Sequence, residues 1–276
     1  MTARQLLDQP VPDFNITVAG DASTSSGTNV NFENIKKIFP NKYVTLFGND
    51  RGGYPSALPA GQFHPVSSVS FGPVTHEAQA VNVCRHYLLN PVSQVLATRI
   101  IQGTNAITYH VEQEVKGAFQ NAQMRREEYS GYVDAAWMLA NNYIAFAEFK
   151  RPGALVAEQW SNGTGLVSKA KTISQQIIKY AYATGKKCFL IGDAQLMIFL
   201  RLDNINDGYV TAQRSRPPGA GVAGATPAQA GSTRSGASLP AQSGWPDITA
   251  QAVLSNNRLL FKAQLYAFIV KAATTP

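Results

Sequence analysis

Cysteine, charge and long apolar runs are all scarce in this sequence. Two cysteines among 276 residues, Cys84 and Cys188, cannot form a disulfide framework or a four-thiolate zinc site. No run of about 18 apolar residues occurs, so we expect no membrane-spanning helix. The N-terminal segment has no apolar signal-peptide core, and we therefore expect an intracellular protein of the nucleus or cytoplasm.

Acidic residues are the scarcer of the two charged classes. The chain has 24 Lys plus Arg against 17 Asp plus Glu, and only 15% of its residues are charged. The resulting formal charge of +7 suits a polyanionic partner, although many proteins without one share it. Hydrophobic residues make up 45% of the chain, which is enough for a packed core and excludes wholesale disorder.

Composition divides the chain into four regions. Residues 1–70 read as an N-terminal arm with loops, in which 41–48 is a possible short strand, and 71–205 carry the periodic patterns of a folded core. The Gly/Ala/Pro/Ser-rich stretch 206–246, which has no acid from residue 211 onward, is typical of a flexible insertion. Residues 247–276 predict a C-terminal helix that packs on the core, and its apolar surface could also serve a homodimer.

Periodicity in the core region predicts an α/β protein. In chain order the patterns indicate helices over 75–89 and after Pro91, strands over 106–115, 126–139 and 143–153, a helix over 168–187, and two short strands over 188–203. We therefore expect a central mixed sheet flanked by helices.

An unusual group of charged residues lies in the second and third predicted strands. Glu148 and Lys150 are two residues apart on a strand, so they share a face, together with Ile144 and Phe146. A short hairpin would set Asp134 of the preceding strand beside Glu148. Burying one such charge alone is costly, and a bound divalent cation would relieve the repulsion between the carboxylates.

This combination of groups points to phosphodiester hydrolysis. Hard carboxylate oxygens suit Mg²⁺ or Mn²⁺, so Asp134 and Glu148 are candidate metal ligands. A neighbouring lysine can orient or help deprotonate an attacking water, and it can stabilise charge that develops on a phosphate. Lys150 is placed for both roles.

The same pattern resembles the PD-(D/E)XK nuclease superfamily, whose core is a helix, three strands, a helix and a strand. Asp134, Glu148 and Lys150 match its motif, with 13 residues between the two acids. The phrase EFKRPG over 148–153 looks most like a fungal branch of the superfamily. The proline that usually precedes the first acid is replaced by Val133. The resemblance covers about half the chain and implies a restriction-endonuclease-like αβββαβ core.

A second match lies in the helix that follows. Gln176 and Tyr180 are four residues apart on one helical face, and they resemble the Gln-x-x-x-Tyr signature of the RecB-like and Cas4-like branches. The resemblance implies that this pair lies near the active site and the DNA. A further acid often comes from the first helix of the family; Glu77 is our choice, with Glu112 and Glu114 as rivals on the first strand.

The resemblance therefore implies a Mg²⁺- or Mn²⁺-dependent nuclease that acts on DNA more readily than on RNA. Its predicted catalytic residues are Asp134, Glu148, Lys150, Gln176 and Tyr180, its metal ligands Asp134, Glu148 and Glu77, and its nucleic-acid contacts Lys169, Lys171, Lys179 and Arg151. The lysines lie on a helix without compensating acids, which favours phosphate contact. Strandedness, endo- or exonuclease action, sequence specificity and oligomeric state stay open.

Two other interpretations are open at this point. A nuclease-like fold without turnover would serve as a nucleic-acid-binding or regulatory module. An α/β interaction protein of another fold would carry the motif by coincidence. In that case Glu148 and Lys150 form an exposed ion pair worth about 0–1 kcal/mol, and Glu77 only favours a helix N-terminus.

Overall fold

The computed structural model describes most of the chain. The described residues are 1–16, 35–54, 57–69, 71–101, 106–120, 126–161, 163–203, 205 and 248–275. The predicted insertion over 206–246 lies outside them. No helix among the described residues is both long and apolar enough to span a bilayer.

Helices and strands alternate along the chain. The helices are α1 (Ala3–Leu7), α2 (Tyr43–Phe47), α3 (Glu77–Cys84), α4 (Asn90–Ala97), α5 (Ala157–Ser161), α6 (Ser168–Thr184) and α7 (Phe261–Thr274), and a π-helical turn (Arg85–Leu89) joins α3 to α4. The strands are β1 (Lys37–Pro40), β2 (Thr108–Gln120), β3 (Arg126–Leu139), β4 (Asn142–Phe149), β5 (Cys188–Gly192), β6 (Met197–Leu202) and β7 (Thr249–Ser255).

The strands described here form one seven-stranded mixed sheet in the order β1-β7-β6-β5-β4-β3-β2. The pairs β1/β7 and β4/β5 are parallel, and the other neighbours are antiparallel. Parallel neighbours need a crossover connection, and α6 supplies it between β4 and β5. The prediction of an α/β protein with a mixed sheet flanked by helices is confirmed.

Two hydrophobic clusters cover the two faces of this sheet. The first joins α1, α2, α3, α4 and α7 to strand residues such as Trp137 and Phe199. The Phe199 ring packs at 5.4 Å from that of Phe268 on α7. The second cluster places α6 against Phe146 and Phe189. A sheet buried on both faces needs apolar residues at consecutive positions, and β4, β5 and β6 have them.

The helix before the sheet continues through a proline. We expected it to end at Asn90-Pro91, but the backbone N–H of Asn90 donates to the carbonyl of Arg85, one residue further away than in an α-helix. Pro91 then lies in the first turn of α4, where its missing N–H is tolerated. The result is a continuous helical segment with a π-helical turn in its middle.

The β2–β3 hairpin is much longer than its neighbour β4. It is paired from Thr108 opposite Met138 to Gln120 opposite Arg126, whereas β4 pairs with β3 only from Ala135 onward. Half of the hairpin therefore extends beyond β4, and α6 packs on one of its faces. At Gly117 a Cβ atom would lie 1.9 Å from the carbonyl oxygen of Ala183, so this close approach requires glycine.

One expectation for the ends of the chain is wrong, and two features there were not expected. Residues 41–48 contain the helix α2 rather than a strand, because Leu46 and Phe47 turn into the core and Gly48 ends the helix with φ +76°. The N-terminal region also contains the helix α1, which buries Leu6 and Leu7. The C-terminal region contributes the strand β7 before its helix.

The C-terminal helix α7 packs on the core. All its residues from Phe261 to Val270 are buried within the protomer. The apolar surface that we considered for a homodimer is therefore already covered by the chain itself.

Candidate active site

The first two predicted site residues come together where the pairing of β3 with β4 stops. The register pairs Ala135 with Ala147, and Asp134 and Glu148 come next along the two strands. Asp134 Oδ2 accepts a hydrogen bond of 2.6 Å from the backbone N–H of Phe149. The two acids thus lie on neighbouring strands, as the hairpin pattern predicted.

One detail of the strand pattern is wrong. Ile144 does not share the face of Glu148, because a β-bulge between Tyr143 and Ala145 leaves it outside the ladder. Ile144 packs against the cluster that contains α7, whereas Phe146 packs towards α6. Alternation counted from the sequence fails at a bulge because one extra residue reverses the faces.

Glu148 is buried, with 6% of its surface exposed. Its Oε1 accepts hydrogen bonds of 2.7 Å from Lys150 Nζ and from Gln176 Nε2. Its Oε2 is buried and has no hydrogen-bond partner among the described residues. An unsatisfied carboxylate oxygen in the interior is costly, so this atom is a ready ligand position for a cation.

Lys150 stands at the centre of the acidic group. Its backbone N–H donates to the Gly192 carbonyl at 2.7 Å, which fixes the residue beside the end of β5. Its ammonium is buried and lies 2.7 Å from Glu148 Oε1 and 3.8 Å from Glu77 Oε1. Glu77, in the first turn of α3, is half-exposed. The structure therefore brings the predicted third acid to the lysine.

The electrostatics of these groups are strongly coupled. Burial raises the pKa of Asp134, opposed by the Phe149 N–H and the Lys150 charge. Burial also raises the pKa of Glu148 to about 7, with Lys150 opposing the rise and Asp134 adding to it. Burial alone lowers the pKa of Lys150, but the surrounding carboxylates outweigh this effect and the net pKa is raised. Lys150 is therefore an ammonium at neutral pH.

Gln176 and Tyr180 connect α6 to this group. Gln176 Nε2 donates to Glu148 Oε1 at 2.7 Å and to the Tyr180 hydroxyl at 2.8 Å. The Tyr180 hydroxyl in turn donates to the backbone carbonyl of Tyr132 on β3 at 3.1 Å. The pair, four residues apart on the helix, thus orients one oxygen of Glu148 and ties β3 to α6.

The two rival acids are paired with other cations. Glu112 forms an ion pair of 3.0 Å with Arg85, and Glu114 forms one of 2.9 Å with Lys116. Each carboxylate is thus engaged with its own cation on or beside the hairpin. The geometry favours Glu77 as the third acid.

The predicted nucleic-acid contacts differ in accessibility. Lys171 is exposed and Lys169 is half-buried on α6. Lys179 and Arg151 are 6% and 9% exposed, respectively. Their burial leaves little surface for a backbone phosphate, so α6 offers a smaller basic face than the sequence suggested.

Sequence reasoning missed one buried acid near the site. Asp193 follows β5 and accepts hydrogen bonds from the backbone N–H groups of Gly153, Leu155, Gln195 and Leu196. It thereby holds the loop after Lys150 against the turn between β5 and β6. A Gly-Asp turn in the sequence is the only signal that could have indicated it.

Two carboxylates suit some metals better than others. Among the described residues, no group of three His, Cys, Asp or Glu side chains could hold a metal ion. A structural zinc site needs four protein ligands, so the described residues do not offer one. Mg²⁺ keeps several waters and is commonly bound through one or two carboxylates together with substrate phosphates. Asp134 and the free oxygen of Glu148 fit that second mode.

No protein-family model matches this chain, and comparisons with curated proteins and with solved structures also found no match. The chemistry of the site therefore rests on its own residues. Three carboxylates and one ammonium meet where β3, β4 and α3 converge, and α6 orients one of the acids.

Proposed function

We propose that this chain is a Mg²⁺- or Mn²⁺-dependent nuclease that hydrolyses phosphodiester bonds, with DNA favoured over RNA. The observation that carries the proposal is the meeting of Asp134 on β3 with Glu148 and Lys150 at the end of β4. The basic net charge of +7 suits a nucleic-acid substrate. The compartment of such an enzyme would be the nucleus or cytoplasm.

The charge balance of the site supports a cation. Glu77, Asp134 and Glu148 all act on the single ammonium of Lys150. If the three acids are ionised, the group carries an excess of two negative charges, which one divalent cation neutralises. The raised pKa of Glu148 has the same origin, because a buried carboxylate with too little positive charge around it favours its neutral form.

The fold supports the finer proposal of a restriction-endonuclease-like core. The succession α3/α4, β2, β3, β4, α6, β5 has the order helix, three strands, helix, strand. The candidate residues lie at the carboxyl end of β4, next to its parallel neighbour β5. Ligand sites in α/β sheets commonly lie beyond the carboxyl ends of strands.

The residues of this chain divide the work of hydrolysis. Asp134 and Glu148 would hold the metal, and Glu77, whose carboxylate lies 3.8 Å from Lys150 Nζ, would contribute through its charge or through a water. A bound divalent cation would supply Lewis-acid stabilisation of the phosphate and a more acidic water. Lys150, as an ammonium, would donate a hydrogen bond to orient the attacking water and would stabilise negative charge on the phosphate.

Lys150 is not a general base in the resting protein. The surrounding carboxylates raise its pKa and keep the proton on Nζ at neutral pH, which suits it to orient the water and to stabilise charge on the phosphate. Gln176 and Tyr180 would keep Glu148 Oε1 turned to Lys150 and leave Oε2 for the metal. This division of the two oxygens follows from their different hydrogen bonding.

The proposal is tested with the full chain on plasmid DNA, linear single-stranded DNA and RNA. We expect cleavage with Mg²⁺ or Mn²⁺ and none with EDTA. Asp134→Asn should lose cleavage, because a neutral amide binds the metal poorly, whereas the matched change Asp8→Asn on α1 should retain it. Cleavage that persists in EDTA, or in Asp134→Asn, would overturn the metal mechanism.

The same assay decides the alternative of an inactive nuclease-like module. Binding of nucleic acid without metal, combined with no cleavage of any substrate under any metal condition, would favour the module. The engagement of Glu148 Oε1 by both Lys150 and Gln176 is compatible with either state, because Oε2 remains available.

A further inference from the structure

Arg85 is a cation beside the site that the sequence patterns did not single out. It begins the π-helical turn after α3, the helix that carries Glu77 in its first turn. π-Helical turns are rare and occur frequently at functional sites. Its Nη2 donates to Glu112 Oε1 at 3.0 Å. The helix thus directs both an acid and a guanidinium towards the sheet.

The partner of Arg85 lies across the hairpin from Asp134. Gln113 pairs with Val133 and Val111 with Ala135, which leaves Glu112 opposite Asp134 in the ladder. Through its contact with Glu112, Arg85 lies beside the part of β3 that carries Asp134. Burial raises the pKa of Asp134 overall, and the Arg85 charge is a minor effect that opposes the rise.

Glu112 holds this position with a strained backbone. Its φ is +48°, a conformation that non-glycine residues seldom adopt, least of all within a strand. Such strain persists where the surroundings impose it, and it is concentrated at functional sites. The strained residue is also the one that pairs with Arg85.

The guanidinium is held but not saturated. Its Nε–H is buried and has no acceptor among the described residues. The Arg85 side chain is 26% exposed, whereas that of Glu112 is 72% exposed. An ion pair with one largely solvated partner is weak and easily exchanged. An anion with two acceptor oxygens would engage more of the Arg85 N–H groups than Glu112 Oε1 does.

We propose that Arg85 binds a backbone phosphate of the nucleic acid beside the bond to be cleaved, and that Glu112 holds the guanidinium until that phosphate displaces its carboxylate. This inference rests on the proposed nuclease function and names a substrate-positioning contact of the same site. Arginine suits the role because its planar fork matches the oxygens of a phosphate. The Glu112 carboxylate occupies the position that the phosphate would take.

The test measures binding separately from cleavage. A short fluorescein-labelled DNA duplex and a single strand are titrated with the protein in EDTA, and fluorescence anisotropy gives the affinity at several salt concentrations. We expect Arg85→Ala to bind about tenfold more weakly. The slope of log affinity against log salt should fall by about one, because one phosphate contact is lost.

Glu112→Gln should change binding in the opposite direction. Removal of the competing carboxylate frees Arg85, so we expect affinity about threefold higher or more. A folding defect cannot produce tighter binding, which keeps the test decisive even if Arg85→Ala is unstable. The exposed pair Arg4–Asp8 on α1 supplies matched controls, and neither Arg4→Ala nor Asp8→Asn should reproduce these effects beyond the small change expected from net charge.

The outcomes separate this inference from the proposed function. Wild-type cleavage with unchanged binding in both variants would overturn the role of Arg85 and leave the nuclease intact. Opposite shifts in the two variants without any wild-type cleavage would support Arg85 as a phosphate ligand and overturn the enzyme. Weaker binding in Glu112→Gln would show that Glu112 only positions the hairpin, which would also overturn the inference.

Discussion

Two lysines of this protein are equally buried and have opposite electrostatic character. Lys150 is 3% exposed and Lys262 is 1% exposed. The first lies among carboxylates, which raise its pKa despite burial. The second lies in the first turn of α7, where its ammonium has no hydrogen-bond or ion-pair partner among the described residues, and burial lowers its pKa to about 8.

The two lysines separate the effect of burial on a lysine pKa from the effect of neighbouring charges. Removing an ammonium from water always disfavours the charged form, and only nearby negative charge reverses the effect. At Lys262 the positive end of the α7 dipole adds to the cost. At Lys150 the acids and the lysine are buried as a group. Clusters of ionisable groups with shifted pKa values are typical of functional sites.

The largest expected effect is the loss of cleavage when Lys150, but not Lys262, is replaced. Lys150→Ala should lower metal-dependent cleavage by about 10³-fold, because the ammonium that orients water and stabilises the phosphate is lost. Lys262→Met removes an equally buried lysine and should leave cleavage unchanged. Single-turnover cleavage rates of both variants measure this. Equal activity of Lys150→Ala and wild type would end its catalytic assignment.

The next effect concerns stability at Lys262. Its folded pKa of about 8 lies below the value of 10.5 for a free lysine. Between these values the unfolded chain binds more protons than the folded one, so stability rises with pH there, and below pH 8 the full penalty is present. Lys262→Met should therefore stabilise the protein at pH 7, by up to about 3 kcal/mol.

Denaturant unfolding at several pH values measures this effect. The gain of Lys262→Met over wild type should shrink as the pH rises from 8 towards 10.5. A gain that does not depend on pH would show that packing, and not the buried charge, distinguishes the two proteins.

The smallest expected effect concerns metal binding by Glu148, the carboxylate beside Lys150. Gln176→Leu removes the amide that orients Glu148 Oε1, and we expect about 10-fold weaker Mn²⁺ binding, as is usual when the partner of a metal ligand is lost. Isothermal titration calorimetry with Mn²⁺ measures it. Gln175→Leu, at the preceding helix position, is the matched control. Unchanged Mn²⁺ affinity in Gln176→Leu would show that the residue packs against the site without orienting Glu148 for metal binding.

Local patterns were sufficient to find the central residues of the site. Asp134 and Glu148 could be paired from strand alternation and a two-residue turn, because a short hairpin leaves one register open. Gln176 and Tyr180 follow from helical spacing alone. The structure brings these residues together with hydrogen bonds of 2.6 to 2.8 Å.

Other parts of the site could not be predicted in this way. Arg85 depends on a π-helical turn, and the strained backbone of Glu112 interrupts the ladder opposite Asp134. The faces of β4 depend on the bulge at Ile144. None of these irregularities has a local sequence signal, since each is imposed by the packing of neighbouring elements.

The amino-acid sequence by itself determined the α/β class, the succession of helix, three strands, helix and strand, and the spacing of the acidic pair and the lysine, because these depend on short-range periodicity. Only the tertiary structure decided that β1 and β7 complete the sheet, that Glu77 and Arg85 approach the site from the helix, and that Lys262 is buried without a partner among the residues that the structure describes. These features join segments far apart in the chain, and contacts of that kind are selected by packing and charge rather than by local pattern.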